Sequence, residues 1–198
     1  MTTDYDSVEL VDDDVVTPFA VSALLAALLG ASALFAIPVP GSLAPVTLQT
    51  LVVFLAGILL GPLWGGFTVS LYIVAGALGA PVFAQGGAGI GYLTGAPTAG
   101  FIWSFLVATV LIGLLVHRGT DLRKPSSVPL SVLGLTLAFA TLLIYAAGVG
   151  WFAWLTGTGL VESTTIMALP FVPGDLVKIA AAIAIVRSGL LDSVPVRA

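Results

Sequence analysis

Pro170-Phe171-Val172-Pro173-Gly174-Asp175-Leu176-Val177-Lys178 opens the last apolar segment of the chain, which runs on as Ile179-Ala-Ala-Ala-Ile-Ala-Ile-Val186. Two opposite charges stand at the mouth of a run otherwise fit for lipid. A charge at mid-bilayer costs about 2.5–3.5 kcal/mol on insertion scales, so charges in such segments read as functional by default. Pro173 suits a first helical turn, where its missing N–H does no harm. Asp175 and Lys178, three residues apart, then share one helix face. The bland alternative is a helix-start carboxylate paired with its own partner.

Outward from this stretch, charge is scarce. No charged residue occurs from Val15 to Val116. Over 198 residues, 59% are hydrophobic and 8% charged, against about 25% charged in soluble domains. The chain is therefore expected to be an all-α polytopic membrane protein, with no room for a second, water-soluble domain. The net charge of −4 comes mostly from Asp4, Asp6, Glu9, Asp12, Asp13 and Asp14, so residues 1–16 read as a disordered acidic tail. This acidic head argues against a signal peptide. Cysteine is absent, which excludes disulfides and thiol chemistry. The single histidine, His117, lies beside Arg118 and reads as an interfacial residue rather than a metal ligand. No phosphate-binding loop is present, so the chain cannot hydrolyse ATP itself. Neither a cofactor nor a nucleic acid is expected.

Six spans are expected within a membrane domain of residues 17–191, with 192–198 as a tail. Segment one, 18–37, carries Ala23, Ala27 and Ala31 at four-residue spacing, a smooth ridge for close helix approach in lipid. Segment two, 46–60, is short for a span of about 20 residues. Its polar start of Thr47, Gln49 and Thr50 points to an end that dips into a cavity. Gly61-Pro62 turns the chain into segment three, 63–78. The uncharged, glycine-rich stretch 79–98 contains Phe83, Gln85 and Tyr92 and reads as a structured loop over a ligand, because flexible linkers are serine-rich and lack aromatics. Segments four and five are expected at 99–116 and 128–151. A connector containing Glu162 leads to segment six, 174–190. Arg118, Arg123 and Lys124 in the four–five loop, with Arg187 and Arg197 near the end, put both termini in the cytoplasm by the positive-inside rule. Thr47, Gln49, the 83–92 loop, Asp175 and Lys178 then meet on the outer side.

Five stretches resemble the BioY family, the biotin-binding membrane (S) components of energy-coupling factor (ECF) transporters. They are Pro45-Val-Thr-Leu-Gln-Thr50, Leu55-Ala-Gly-Ile-Leu-Leu-Gly-Pro62, Gly79-Ala-Pro-Val-Phe83, Gly89-Ile-Gly-Tyr-Leu93 and Pro170-Phe-Val-Pro-Gly-Asp-Leu-Val-Lys178. They fall in the family's order and cover nearly all of the chain after the acidic head. Where the family reads Pro-Thr-Gly-Gly-Tyr, this chain has Pro97-Thr98-Ala99-Gly100-Phe101, losing a glycine and a phenol. The resemblance implies the ECF S-component fold, biotin as ligand, the plasma membrane as location, and partners in an ECF transmembrane coupling subunit and ABC-type ATPase subunits. A homo-oligomer is compatible with it. The alanine ridge would meet the coupling subunit. Lys178 would hold the biotin carboxylate, and Asp175 would orient Lys178 or accept a ureido or backbone N–H. Gln49, Gln85 and Tyr92 would take the ureido edge, Phe83 and Trp151 would form walls, and Thr47 would also belong to the binding site.

The alternative is a self-sufficient secondary transporter for biotin or another small carboxylated vitamin. It would need an intramembrane carboxylate in the early helices or paired broken-helix repeats. No such carboxylate precedes Asp121. An intramembrane enzyme is not expected, because a serine protease would need a histidine base and the only histidine lies at the cytoplasmic end of segment four, and no H-E-x-x-H helix occurs.

Overall fold

The computed structural model describes residues 13–196. Its helices are α1 (Asp13–Ser32), α2 (Gln49–Ala77), α3 (Ile90–Gly95), α4 (Ala99–His117), α5 (Leu130–Thr156), α6 (Leu160–Met167) and α7 (Val172–Arg187). The acidic head as far as residue 12 lies outside the described residues, as do residues 197–198. Residues 13–16, counted with the tail from sequence, already belong to α1.

Helix α2 has 29 residues in unbroken succession, but it is not one straight rod. Gly61 adopts φ 68° and ψ −169°, followed at once by Pro62. Beyond that point the chain runs back alongside itself. Gln49 Nε2 donates to Tyr72 Oη at 2.7 Å, and a Cβ on Gly65 would stand 3.1 Å from the Ala56 carbonyl oxygen. A straight helix, rising 1.5 Å per residue, would hold both pairs far apart. The two arms, 49–60 and 62–77, are therefore antiparallel, as the Gly61-Pro62 turn predicts. Glycine is needed at 61 because a side chain is disfavoured at that φ. Among the described residues, five stretches are long and apolar enough to cross a membrane, and the reversal at Gly61 divides one of them into two antiparallel arms. The chain is thus a multi-pass, all-helical membrane protein.

Helix α4 lies along both arms through glycine-lined seams, with Gly57 and Gly65 against Thr109 and with Gly113 against the Gly61-Pro62 turn. Its 19 residues span about 27 Å, close to the hydrocarbon thickness of a bilayer. Leu135, Phe139 and Leu142 form an exposed stripe on α5; such a stripe in this chain faces lipid rather than water. His117 is buried rather than interfacial. Its Nδ1 accepts the Arg123 N–H at 3.0 Å, so Nε2 carries the proton and donates to the Ile58 carbonyl at 2.9 Å. That carbonyl needs a donor because Pro62, four residues on, has no N–H to offer.

The last crossing is broken. Residues 157–168, expected as a connector, contain the short helix α6, and the chain then kinks at Ala168 (φ −130°, ψ −56°). A 3-10 turn at Leu169–Phe171 leads into α7, with Pro173 in its first turn. The glycine-rich 79–98 stretch is ordered, with a 3-10 turn at Ala84–Gly86, a bridge between Phe83 and Gly87, and α3.

Candidate functional site

At the end of the bundle where α2 and α7 begin, a cavity of about 590 Å3, counted to its open mouth, lies between helices. Its walls come from five regions: Ala44 to Thr47 ahead of α2, Gln49 and Thr50 on its first turn, Phe101, Ile102 and Phe105 on α4, Ile144 and Tyr145 on α5, and Phe171, Asp175 and Lys178 around the start of α7. Ala84 and Thr98 close it from the 79–98 loop. The lining is mostly apolar with its polar groups on two sides, as suits a ligand with a hydrophobic body and a polar edge.

The α7 side is the charged one. Asp175 is 4% exposed and Lys178 6%, and Lys178 Nζ donates to Asp175 Oδ1 at 2.7 Å. Tyr145 Oη–H donates to the other carboxylate oxygen, Oδ2, at 2.5 Å. Asp175 also sits in the first turn of α7, where the helix N-terminus favours negative charge. Its charge is therefore compensated three ways. An ammonium has three N–H donors and each carboxylate oxygen two lone pairs, so the pair retains both donors and acceptors for a ligand.

The α2 side is neutral. Thr47 Oγ1–H donates to Gln49 Oε1 at 3.1 Å, while Gln49 Nε2 donates to Tyr72. The Gln49 amide is thereby oriented and keeps one N–H uncommitted to these two partners.

Of the sequence-expected site residues, Thr47, Gln49, Asp175 and Lys178 line the cavity; Phe83, Gln85, Tyr92 and Trp151 do not. The physical reasons differ. Phe83 is fully buried against Tyr72, edge-on with centroids 5.5 Å apart, and is stacked on Tyr92 at 5.3 Å. Gly76 leaves room for the Phe83 ring. Tyr92 Oη hydrogen-bonds Thr98 Oγ1 at 2.9 Å and donates to the Ala84 carbonyl. These two aromatics shape the loop and back Tyr72, which in turn holds Gln49. Gln85 occupies the left-handed region (φ 60°) at the loop tip and is exposed. Trp151 Nε1 donates to the Ala96 carbonyl at 2.9 Å, its ring packed over Gly100. It braces the loop from outside the cavity. Ala23, Ala27 and Ala31 are exposed on the outer face of α1.

Tyr145 and Phe101 were not legible as site residues from sequence. A phenol within the apolar run Leu142-Leu-Ile-Tyr-Ala-Ala147 was the available signal for Tyr145, since buried tyrosine hydroxyls find partners. Phe101 lies on the cavity wall. Its ring tip abuts Gly148 of α5, where a Cβ would lie 2.2 Å from Phe101 Cζ, so the ring is seated without a hydroxyl.

The BioY family model matches residues 4–193. A biotin transporter BioY from Rhodobacter capsulatus is 40% identical over 144 residues, 68% of this chain and 73% of that protein. A probable biotin transporter BioY from Pyrococcus horikoshii is 38% identical over 141 residues, 71% of this chain and 77% of the relative. Among solved structures, the S-component for biotin from an ECF-type ABC transporter superposes with a TM-score of 0.79 at 26% identity, covering 90% of this chain and 93% of that one. With its crossings, its cavity and a match over nearly its whole length, the chain belongs to the BioY family.

Proposed function

We propose that this protein is the biotin-binding S component of an ECF-type transporter, taking up biotin with partner ATPase and coupling subunits. The observation that carries the reading is the cavity with Asp175, Lys178 and Gln49 on its walls, in a chain whose family relatives are named as biotin transporters. Biotin has an apolar thiophane ring, a ureido group that both donates and accepts, and a carboxylate tail. Phe101, Ile102, Phe105 and Ile144 suit the ring; the polar groups suit the rest. Isothermal calorimetry on detergent-purified protein tests it: biotin is expected to bind at micromolar ligand or below without ATP, and absence of binding by folded protein would remove the assignment.

The ion pair favours one pose over another. Lys178 as a clamp for the biotin carboxylate would place a second anion beside a cation already neutralised by Asp175 at 2.7 Å, leaving a net charge in a buried site at considerable cost. A ureido group is neutral and complementary. Its N–H can donate to Asp175 while its carbonyl accepts from Lys178. We therefore place the ureido edge on Asp175 and Lys178, with Thr47 and Gln49 across the cavity and the carboxylate toward the mouth.

The expected partner contact is the ridge Ala23-Ala27-Ala31, which nothing within the described residues covers. Small residues on a lipid-facing helix let another helix approach closely. Ala27→Leu should leave biotin affinity unchanged and reduce co-purification of the coupling subunit severalfold. Unaltered co-purification would show the ridge to be compositional. The cation-bearing α4–α5 turn supports a cytoplasmic position for that end of the bundle and for both termini, with the cavity mouth outward.

A further inference from the structure

At the end of the bundle opposite the cavity proposed for biotin, the α4–α5 turn holds another depression, about 520 Å3 counted to its open mouth. Val116, Val128, Pro129 and Val132 form its apolar part, and Arg118 and Arg123 bring the charge. Arg118 closes α4 in the left-handed conformation (φ 57°, ψ 37°), its N–H reaching the Leu114 carbonyl. A non-glycine residue is disfavoured there by about 1–2 kcal/mol, yet the next residue is Gly119, the type that usually takes this position. Such outliers cluster at ligand clamps, where surrounding structure holds them in place.

The turn is held from the α7 side. Arg187 donates to the Ser126 and Val128 carbonyls at 3.1 and 3.0 Å, and Ser126 donates from both N–H and Oγ–H to Asp192. Arg187 is thus occupied with backbone. Arg118 and Arg123 are exposed, and neither makes an ion pair among the described residues. Next to them, Leu114 and Leu115 on the last turns of α4 and Leu130 and Leu135 on the first turns of α5 are exposed apolar surface. Guanidinium groups match phosphate oxygens in geometry, and the neighbouring leucines match hydrocarbon.

We propose that this turn binds one anionic phospholipid, with the phosphate on Arg118 and Arg123 and an acyl chain along the α4–α5 wall. Charge complementarity selects the headgroup; the exposed leucines on both helices select a lipid over a soluble anion. The site is separate from the biotin cavity by about the length of α4, about 27 Å.

The test is lipid retention measured by native mass spectrometry after extraction from mixed vesicles of phosphatidylcholine and phosphatidylglycerol. The wild-type protein is expected to retain one phosphatidylglycerol with a preference of about tenfold or more over phosphatidylcholine. In the Arg118→Gln/Arg123→Gln variant the preference should fall to near parity, with biotin affinity unchanged as evidence of intact fold. Equal retention of the two lipids by wild type, or a preference that survives in the double variant, would overturn the proposal. Displacement of the lipid by millimolar inorganic phosphate would assign the pocket to a soluble anion instead. A preference that emerges only on deleting residues 1–12 would make the acidic head the native occupant, which also overturns it.

Discussion

Lys178→Met is expected to weaken biotin and biotin methyl ester by the same factor, about ten- to a hundredfold. A hydrogen bond to a charged group is worth about 1.5–3 kcal/mol, which converts to that range. Equality follows from the pose: a ureido carbonyl on Lys178 is identical in acid and ester. A carboxylate on Lys178 would instead cost the acid far more than the ester, and that outcome would restore the clamp. One complication comes from the ion pair itself. Removing one partner leaves Asp175 buried with Tyr145 and the helix terminus alone, and breaking a buried pair typically costs about 3–5 kcal/mol of stability. The double variant Asp175→Asn/Lys178→Met removes both charges, keeps similar volumes, and should recover stability without recovering biotin. Dissociation constants for both ligands, with thermal unfolding on each variant, separate lost binding from lost fold.

Much of this architecture is legible in the sequence because lipid permits few solutions. A charge-free run from Val15 to Val116 admits helices and little else among α structures, and Gly61-Pro62 marks the reversal without reference to anything distant. The polar first turn of segment two was readable for a related reason: Gln49 and Thr50 have no business in hydrocarbon unless they face a cavity, which they do. What the sequence could not show was which aromatics line the cavity. Phe83, Tyr92 and Trp151 stood in or near the expected site, but Phe83 is committed to Tyr72 and Gly76, Tyr92 to Phe83 and Gly87, and Trp151 to Gly100, contacts set by tertiary packing. Tyr145 was invisible for the converse reason. Its partner, Asp175, lies 30 residues away, and no local pattern joins them. Helix α6 was missed because eight residues ahead of a kink carry too little periodicity to distinguish from a connector.

Gly113→Ala is expected to be the most damaging small substitution in the hydrocarbon region, at about 3 kcal/mol or more of stability. The added Cβ would stand 2.3 Å from Pro62 N, 2.4 Å from the Gly61 carbonyl carbon and 2.7 Å from Pro62 Cα. All three neighbours are backbone, and they belong to the one turn where α2 reverses, so no side chain can swing aside to relieve the contact. Moving the turn away from α4 would also stretch the bond between His117 Nε2 and the Ile58 carbonyl, one helical turn further along α4. That carbonyl has no substitute donor, because Pro62 cannot supply one. Gly134→Ala is the control: nothing lies within 4 Å of its added Cβ, and alanine favours a helix interior over glycine by about 1 kcal/mol. Thermal unfolding in one detergent should therefore show Gly113→Ala lowered by about 6–12 °C on the scaling of globular domains of this size, and Gly134→Ala unchanged or raised. The cavity proposed for biotin lies at the far end of α4, so protein that remains folded in the Gly113→Ala variant should bind biotin with wild-type affinity. A Gly113→Ala melting temperature equal to that of wild type would mean that α4 and the α2 turn do not meet as closely as described.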